Sequence, residues 1–195
     1  MNEINPEIEA AIETLELPET SMDEVYEILK KYPKDVNIET NVAMTISRKQ
    51  SVYDMTKGTH EHLDEMLKIL ANSSDMQARW AVAKSHHTSS DVLAKLAKDD
   101  VNLVRALVAT NPSTPVALLQ DLFNDEMIVR QGLTGNPNTP EKLLKLFIHD
   151  NDRMIRIRVA DNSGTPDSLL KILANDSDKD VSTAAKHRLG EDNES

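Results

Sequence analysis

The sequence contains no cysteine, which removes disulfides, thiolate metal sites and thiol catalysis together. Glycine is scarce: with five in 195 residues, a glycine-rich loop of the kind that cradles phosphate is hard to place. Aromatic residues make up 3% of the chain, and there is one tryptophan. No stretch approaches the ~20 consecutive apolar residues that a membrane-spanning helix needs. The opening Met1-Asn2-Glu3-Ile4 is acidic and lacks a basic region followed by an apolar run, so no secretory signal is expected and the cytoplasm is the default location. No Ser/His/Asp order and no paired catalytic acids stand at a usable spacing. Neither catalysis nor a cofactor is therefore expected.

Charge is plentiful but uneven. Lysine plus arginine total 22 against 33 acidic residues, a net charge of −11 with histidine neutral. Residues 1–45 hold three lysines against eleven acids and residues 190–195 hold three acids, so the body from 46 to 189 sums to zero. Acidic flanks on a neutral body favour solubility and oppose non-specific attraction to nucleic acid or anionic membranes.

What the sequence does contain is repetition. Asn111-Pro112 returns as Asn136-Pro137, Thr114-Pro115 as Thr139-Pro140 and Thr165-Pro166, and Leu118-Leu119 as Leu143-Leu144 and Leu169-Leu170. An arginine stands six residues before each of Asn111, Asn136 and Asn162, and the steps between Arg79, Arg105, Arg130 and Arg156 are 26, 25 and 26 residues. Self-similarity at that period marks a stack of units, none of which can bury its apolar face alone. The expected fold is all-α: a right-handed α-solenoid of about six two-helix repeats, each 25–26 residues long.

Taken in order, Asn5-Pro6 reads as a helix start with asparagine as N-cap, and Ile8, Ile12 and Leu15 share one helix face. Ser21 caps a second helix with the stripe Val25, Tyr26 and Leu29 and with Lys30-Lys31 at its C-terminal end. Residues 21–45 read as a degenerate first repeat, with Glu39 in the arginine column, and 3–17 as a cap over it. About 14 residues are then inserted near 46–60, read either as a longer second helix stopping at Gly58 or as a projecting segment with a basic cluster at Arg48, Lys49 and Lys57. Regular units follow over 63–189. Each is read as a first helix after a capping Ser/Thr, a polar turn containing Asp, and a second helix or shorter helical turn through the arginine. Where they occur, Thr-Pro is read as a capping side chain followed by proline at the first helical position and Asn-Pro as a helix stop. The last unit replaces the arginine by Ser182 and carries Lys186 and Arg188, as a polar end cap would, and 190–195 form an acidic tail. The chain thus divides into an N-terminal part, 1–62, a regular part, 63–189, and the tail.

The recurring string Val-Arg-x-x-Val-Ala-x-Asn-Pro-x-Thr-Pro-x-x-Leu-Leu-x-x-Leu-x-x-Asp resembles the leucine-rich repeat variant family, a branch close to HEAT-like α-solenoids. Residues 104–125 match almost throughout and 129–150 and 155–176 match well, while 78–99 carry His86, Thr88 and Ser89 where Pro, Thr and Pro are usual. The resemblance implies a superhelical stack of helices, in some members alternating α with 3₁₀, and an Asp/Arg ladder like that of HEAT repeats. The iron–sulfur module of some members needs cysteines, which this chain lacks.

Three columns of residues invite functional readings. Asp99, Asp125 and Asp150 precede Arg105, Arg130 and Arg156 by six, five and six residues, so each turn offers a carboxylate to an arginine of its own or the next unit. The asparagine amides can satisfy loop backbone groups between units. Relative to each arginine, positions −1 and +3 are apolar throughout and face the core, whereas +1 and −3 lie on nearly the opposite side. Position +1 holds Trp80, Ala106, Gln131 and Ile157, and position −3 holds Met76, Asn102, Met127 and Arg153. Trp80, Met76, Met127 and Ile157 would form a discontinuous exposed strip, tryptophan and methionine being favoured in interfaces, unless Trp80 instead packs on 46–60. His60, His62, His86 and His87, with Glu61 or Asp64, are the only candidates for a zinc site, and solvated loop histidines are the commoner reading.

The sequence therefore leads to a non-enzymatic protein–protein interaction scaffold. Its partner-binding residues are Trp80, Met76, Met127, Ile157, Arg153, Arg48 and Lys49, on the second-helix row expected to line a concave surface. The partner is a protein of unknown identity, with neither metal, membrane nor nucleic acid expected, and self-association through an open end of the stack stays open. The alternative is a nucleic-acid-binding HEAT-like protein of the alkylpurine DNA glycosylase type, which Arg153, Arg156, Arg158 and Arg48-Lys49 keep in play.

Overall fold

Polar caps start some of the helices along this chain, prolines start others and asparagines end three of them, which divides it into short helices. The computed structural model describes residues 5–52 and 61–191, with 50–52 described by backbone alone. Among these residues there are 13 α-helices and no strand, so the chain is all-helical. The helices group into two compact units, Met1–Leu96 and Ala97–Ser195.

The first unit holds α1 (Pro6–Glu16), α2 (Met22–Lys31), α3 (Val36–Val52), α4 (Leu63–Leu70), α5 (Met76–Lys84) and α6 (Ser90–Leu96). Asn5 caps α1 by accepting the Glu7 N–H, with Pro6 at the first helical position. Ser21 and Glu24 form a reciprocal capping box on α2. The long α3 packs against α1, α2 and α5, and buries Ile38, Val42, Ala43 and Ile46. It continues as helix through the start of the 46–60 insertion; the remainder, including Lys57, Gly58 and His60, lies outside the described residues.

The second unit holds α7 (Asn102–Thr110), α8 (Val116–Leu122), α9 (Met127–Gly135), α10 (Glu141–Phe147), α11 (Arg153–Asp161), α12 (Asp167–Leu173) and α13 (Lys179–Leu189). Here α7 packs on α9, α9 on α11 and α11 on α13, while α8, α10 and α12 flank them. Each helix of the α7–α9–α11 series has nine residues and is α rather than 3₁₀. The core positions follow the repeat. Val104, Val108, Val129, Leu133, Ile155 and Val159, one before and three after each arginine, are all buried.

The Thr-Pro step works differently from its sequence reading. Pro115, Pro140 and Pro166 are themselves the N-caps, and the helices begin one residue later. The threonines do not cap those helices. Buried Thr114, Thr139 and Thr165 instead donate their hydroxyls back to the carbonyls of Val108, Leu133 and Val159, at 2.6, 2.7 and 2.6 Å. Each closes the loop over the end of the preceding helix, whose last carbonyls have no partner within the helix.

Close approach also has a local cause. A β-carbon on Gly132, in the middle of α9, would lie 2.7 Å from the Ala106 carbonyl oxygen and 2.9 Å from the Ala109 β-carbon. Glycine at this position lets α9 lie against the backbone of α7. The other units carry Ala81, Leu107 and Arg158 there.

Candidate functional site

Arg105 and Arg156 of the arginine column form rungs of a structural ladder, each spanning two turns. Arg105 donates Nε and Nη2 to the two carboxylate oxygens of Asp125, at 2.7 and 2.9 Å, and Nη1 to the Asp99 carbonyl at 2.7 Å. Arg156 repeats the pattern on Asp176, at 2.8 and 3.1 Å, with Nη1 on the Asp150 carbonyl at 2.7 Å. In both cases the carboxylate lies 20 residues downstream, in the next turn, while the arginine's own turn contributes a backbone oxygen. Planar side-on pairing of this kind fixes orientation as well as charge. In the first unit the rung survives with other chemistry. Buried Glu39 accepts from the Ser73 hydroxyl at 2.5 Å, 34 residues on, which is the ladder spacing plus the 14-residue insertion. Arg79 donates Nη1 to the carbonyls of Ser73 and Ser74 in its own turn.

The guanidinium contacts hold the carboxyls of Asp125 and Asp176 below the usual carboxylate range. A carboxylate depressed in the folded state adds stability above its unfolded pKa of about 4, and that stability is lost as the pH falls through the lower folded value. The melting temperature should accordingly fall below about pH 4. Arg105→Ala should cost about 2 kcal/mol at neutral pH, since it strands a part-buried carboxylate, and should flatten that acid limb. Urea unfolding at pH 7 and pH 3 measures both; an unchanged acid limb would separate the pair from the stability.

The asparagine column satisfies backbone. Asn136 donates its amide to the carbonyls of Ala109 and Asn111, and Asn162 to those of Thr134 and Asn136, all between 2.7 and 2.9 Å. The same side chains accept the N–H two residues ahead, as in Asn138 and Gly164. In the last repeat Arg188 stands 26 residues after Asn162 and donates Nη1 to the carbonyls of Ala160, Asp161 and Asn162.

With the arginines and asparagines largely engaged in this way, the residues expected at an interface can be placed one by one. In the first unit, Trp80 is 37% exposed on α5, with the Lys84 ammonium 5.1 Å from its ring centre, and Met76 on the same helix is half-buried. Arg48 and Lys49 sit on α3. Arg48 donates to the carbonyls of Leu15 and Glu16 and Lys49 to that of Pro18, so both cations close the C-terminal end of α1, where the helix dipole favours them. In the second unit, Met127 is 64% exposed on α9 and Ile157 is half-buried on α11. Arg153 is exposed and pairs with Asp180 at 2.7 Å. His62 stacks on the Tyr26 ring at 4.0 Å, and among the described residues no group of three or more potential ligands could hold a metal.

The fluorescence of Trp80, the one tryptophan, should be red-shifted and readily quenched. Iodide should quench it more efficiently than caesium, because the Lys84 ammonium beside the ring attracts the anion. A blue-shifted, protected emission would place the indole inside the protein instead.

The structure also exposes a column not singled out from the sequence. Two residues before the arginines of the second unit stand Leu103, Ile128 and Met154, which are 45%, 37% and 48% exposed. Each is followed directly by a core residue, Val104, Val129 or Ile155, so the pair reads in sequence as one wide apolar face. The available signal was recurrence: three large apolar side chains in one register.

Arg130 departs from the ladder. It follows Arg105 by 25 residues rather than 26, and Phe123 occupies the position that holds Ala71, Ala97, Ile148 and Ala174 in other units. Its guanidinium lies over the rings of Phe123 and Phe147, at 5.4 and 5.8 Å, and these two rings meet edge to face. Its buried Nε has no hydrogen-bond partner, and among the described residues no carboxylate lies within ion-pairing distance. The expected pairing of this arginine with a turn aspartate is thus not made. The two phenylalanines take the guanidinium in place of a carboxylate. Comparison with protein-family models, with curated proteins and with solved structures found no match to this chain.

Proposed function

We propose that the chain is a non-enzymatic protein-interaction scaffold whose units are two-helix repeats of a right-handed α-solenoid, of the leucine-rich repeat variant kind. The second helices carry the binding face. The observation that carries this reading is the recurring exposed column Leu103, Ile128 and Met154, with Met127 beside it on α9. Single exposed apolar residues are ordinary, but large ones recurring in one register serve no purpose in the packing of their own unit. The ladder supports a protein partner over a phosphate backbone. Arg105 and Arg156 are occupied by Asp125 and Asp176, and Arg153 by Asp180, so the second helices do not offer a row of free cations.

The test compares affinity capture by the wild type and by an Ile128→Glu/Met154→Glu variant, with melting temperatures as the control. Partners retained by the wild type at 150 mM salt, a condition under which surface charge is screened over about 8 Å, should be lost by the variant while its melting temperature is unchanged. An identical capture profile would refute the assignment of the face. Capture of nucleic acid that is lost on raising the salt would favour the glycosylase-like reading instead.

A further inference from the structure

The rung at Arg130 is open on α9, the helix that carries Ile128 of the apolar column and the 64% exposed Met127. At Arg105 and Arg156, Nε and Nη2 grip both oxygens of one carboxylate. At Arg130 the same Nε is buried and unpartnered. The residue in the equivalent place, Asp150, stands 20 positions downstream; its carboxylate accepts the Asp152 N–H and its carbonyl accepts from Arg156. A desolvated donor without an acceptor is costly, and cation–π contact with Phe123 and Phe147 offsets that only in part, because it acts on the face of the guanidinium and leaves its edge without acceptors. That edge is what a carboxylate binds. Arg130 is only half-buried, and Met127, one turn earlier on the same helix, is 64% exposed, with Ile128 next to it.

We propose that Arg130 is a receptor for a carboxylate supplied by a partner: an acidic peptide segment whose aspartate or glutamate completes the rung and whose neighbouring large apolar side chain covers Met127 and Ile128. This rests on the scaffold reading and names the chemistry of its partner. An apolar flank beside a single open cation selects against nucleic acid, which brings a run of phosphates and no aliphatic surface. A side chain with one carboxylate can take the Nη end of this half-buried guanidinium, whose Nε is covered. A lysine-rich segment would set its ammonium groups against the cation at the centre of the site.

The test uses the full chain and a phage-displayed library of random 16-residue peptides. The selected peptides should carry Asp or Glu next to Leu, Ile, Met or Phe. Binding of the best one, measured by fluorescence polarisation, should weaken at least tenfold with Arg130→Gln and equally when its carboxylate is changed to the amide. The two changes together should cost no more than either alone, the signature of one shared contact. Arg130→Lys should rescue only part of the loss, since ammonium keeps the charge but not the two-point edge. Arg130→Gln should melt within a few degrees of the wild type, because no internal ion pair is broken. If Arg130→Gln and Asp150→Asn each destabilise the fold as Arg105→Ala does, the rung is closed internally and the proposal is overturned. Selected peptides without acidic residues, whose binding depends on Ile128 and Met154 but not on Arg130, would also overturn it while leaving the scaffold reading standing. Peptides that ignore all of these residues, or no selected peptide at all, would overturn both.

Discussion

Replacing Asn136 by alanine should lower the unfolding free energy by about 3 kcal/mol. The carboxamide is fully buried and serves three backbone groups at once: the carbonyls of Ala109 and Asn111 and the N–H of Asn138. The Asn111 carbonyl keeps the Thr114 N–H, but a methyl group can reach none of the three, and each buried backbone group left without a partner costs about 1–3 kcal/mol. Asn136→Asp should be at least as harmful at neutral pH, because it keeps the acceptor for Asn138 but aims a carboxylate at two carbonyl oxygens. Neighbouring Asn138 supplies the control. It is exposed and donates its amide across the repeat to the Pro112 carbonyl at 2.7 Å, so Asn138→Ala should cost no more than about 1 kcal/mol. Urea unfolding of the three variants decides the matter. If Asn136→Ala falls within error of Asn138→Ala, the amide ladder does not hold the repeats together.

Gly164→Ala should be comparably damaging, at about 2–3 kcal/mol, for a steric reason. A β-carbon there would lie 2.0 Å from the Pro137 carbonyl oxygen and 2.9 Å from its carbon, both backbone atoms that cannot swing aside as a side chain would. The loop would have to move away from the preceding repeat, and Asn162, two residues earlier, would lose its grip on Thr134 and Asn136. Gly135→Ala is the matched control. Nothing lies within 4 Å of its added β-carbon, and it ends α9, so alanine there should be neutral or stabilising by up to about 1 kcal/mol. A Gly164→Ala protein that melts with the wild type would mean that this loop is free to relax.

Periodicity made the helices and their inner faces legible. A side chain that recurs one before and three after an arginine lies on a fixed side of a helix whatever its neighbours are, and Val104, Val108, Val129 and Leu133 are buried as that geometry requires. The caps at Asn5 and Ser21 could be read for the same reason, because a cap is a contact within a few residues of chain. The asparagines were legible as satisfiers of loop backbone, and Asn162 adds a refinement. It leaves the helix in the extended conformation without a proline behind it, held by its amide bonds to the previous repeat.

What the sequence by itself determined, then, is the all-helical character, the register of the repeats and the set of buried apolar positions, since all three follow from local geometry applied at a fixed period. Only the tertiary structure decided the partners. The direction of pairing of Arg105 and Arg156, towards the carboxylate 20 residues ahead and not the one six residues behind, depends on where the next turn lies in space. The threonines reach back to a carbonyl instead of forward to a cap because the loop folds over the preceding helix. Arg48 and Lys49 close the end of α1, more than 30 residues earlier, which no local pattern could reveal. And Arg130 has two phenylalanine rings against its guanidinium in place of an aspartate, a competition between distant groups that spacing alone does not resolve.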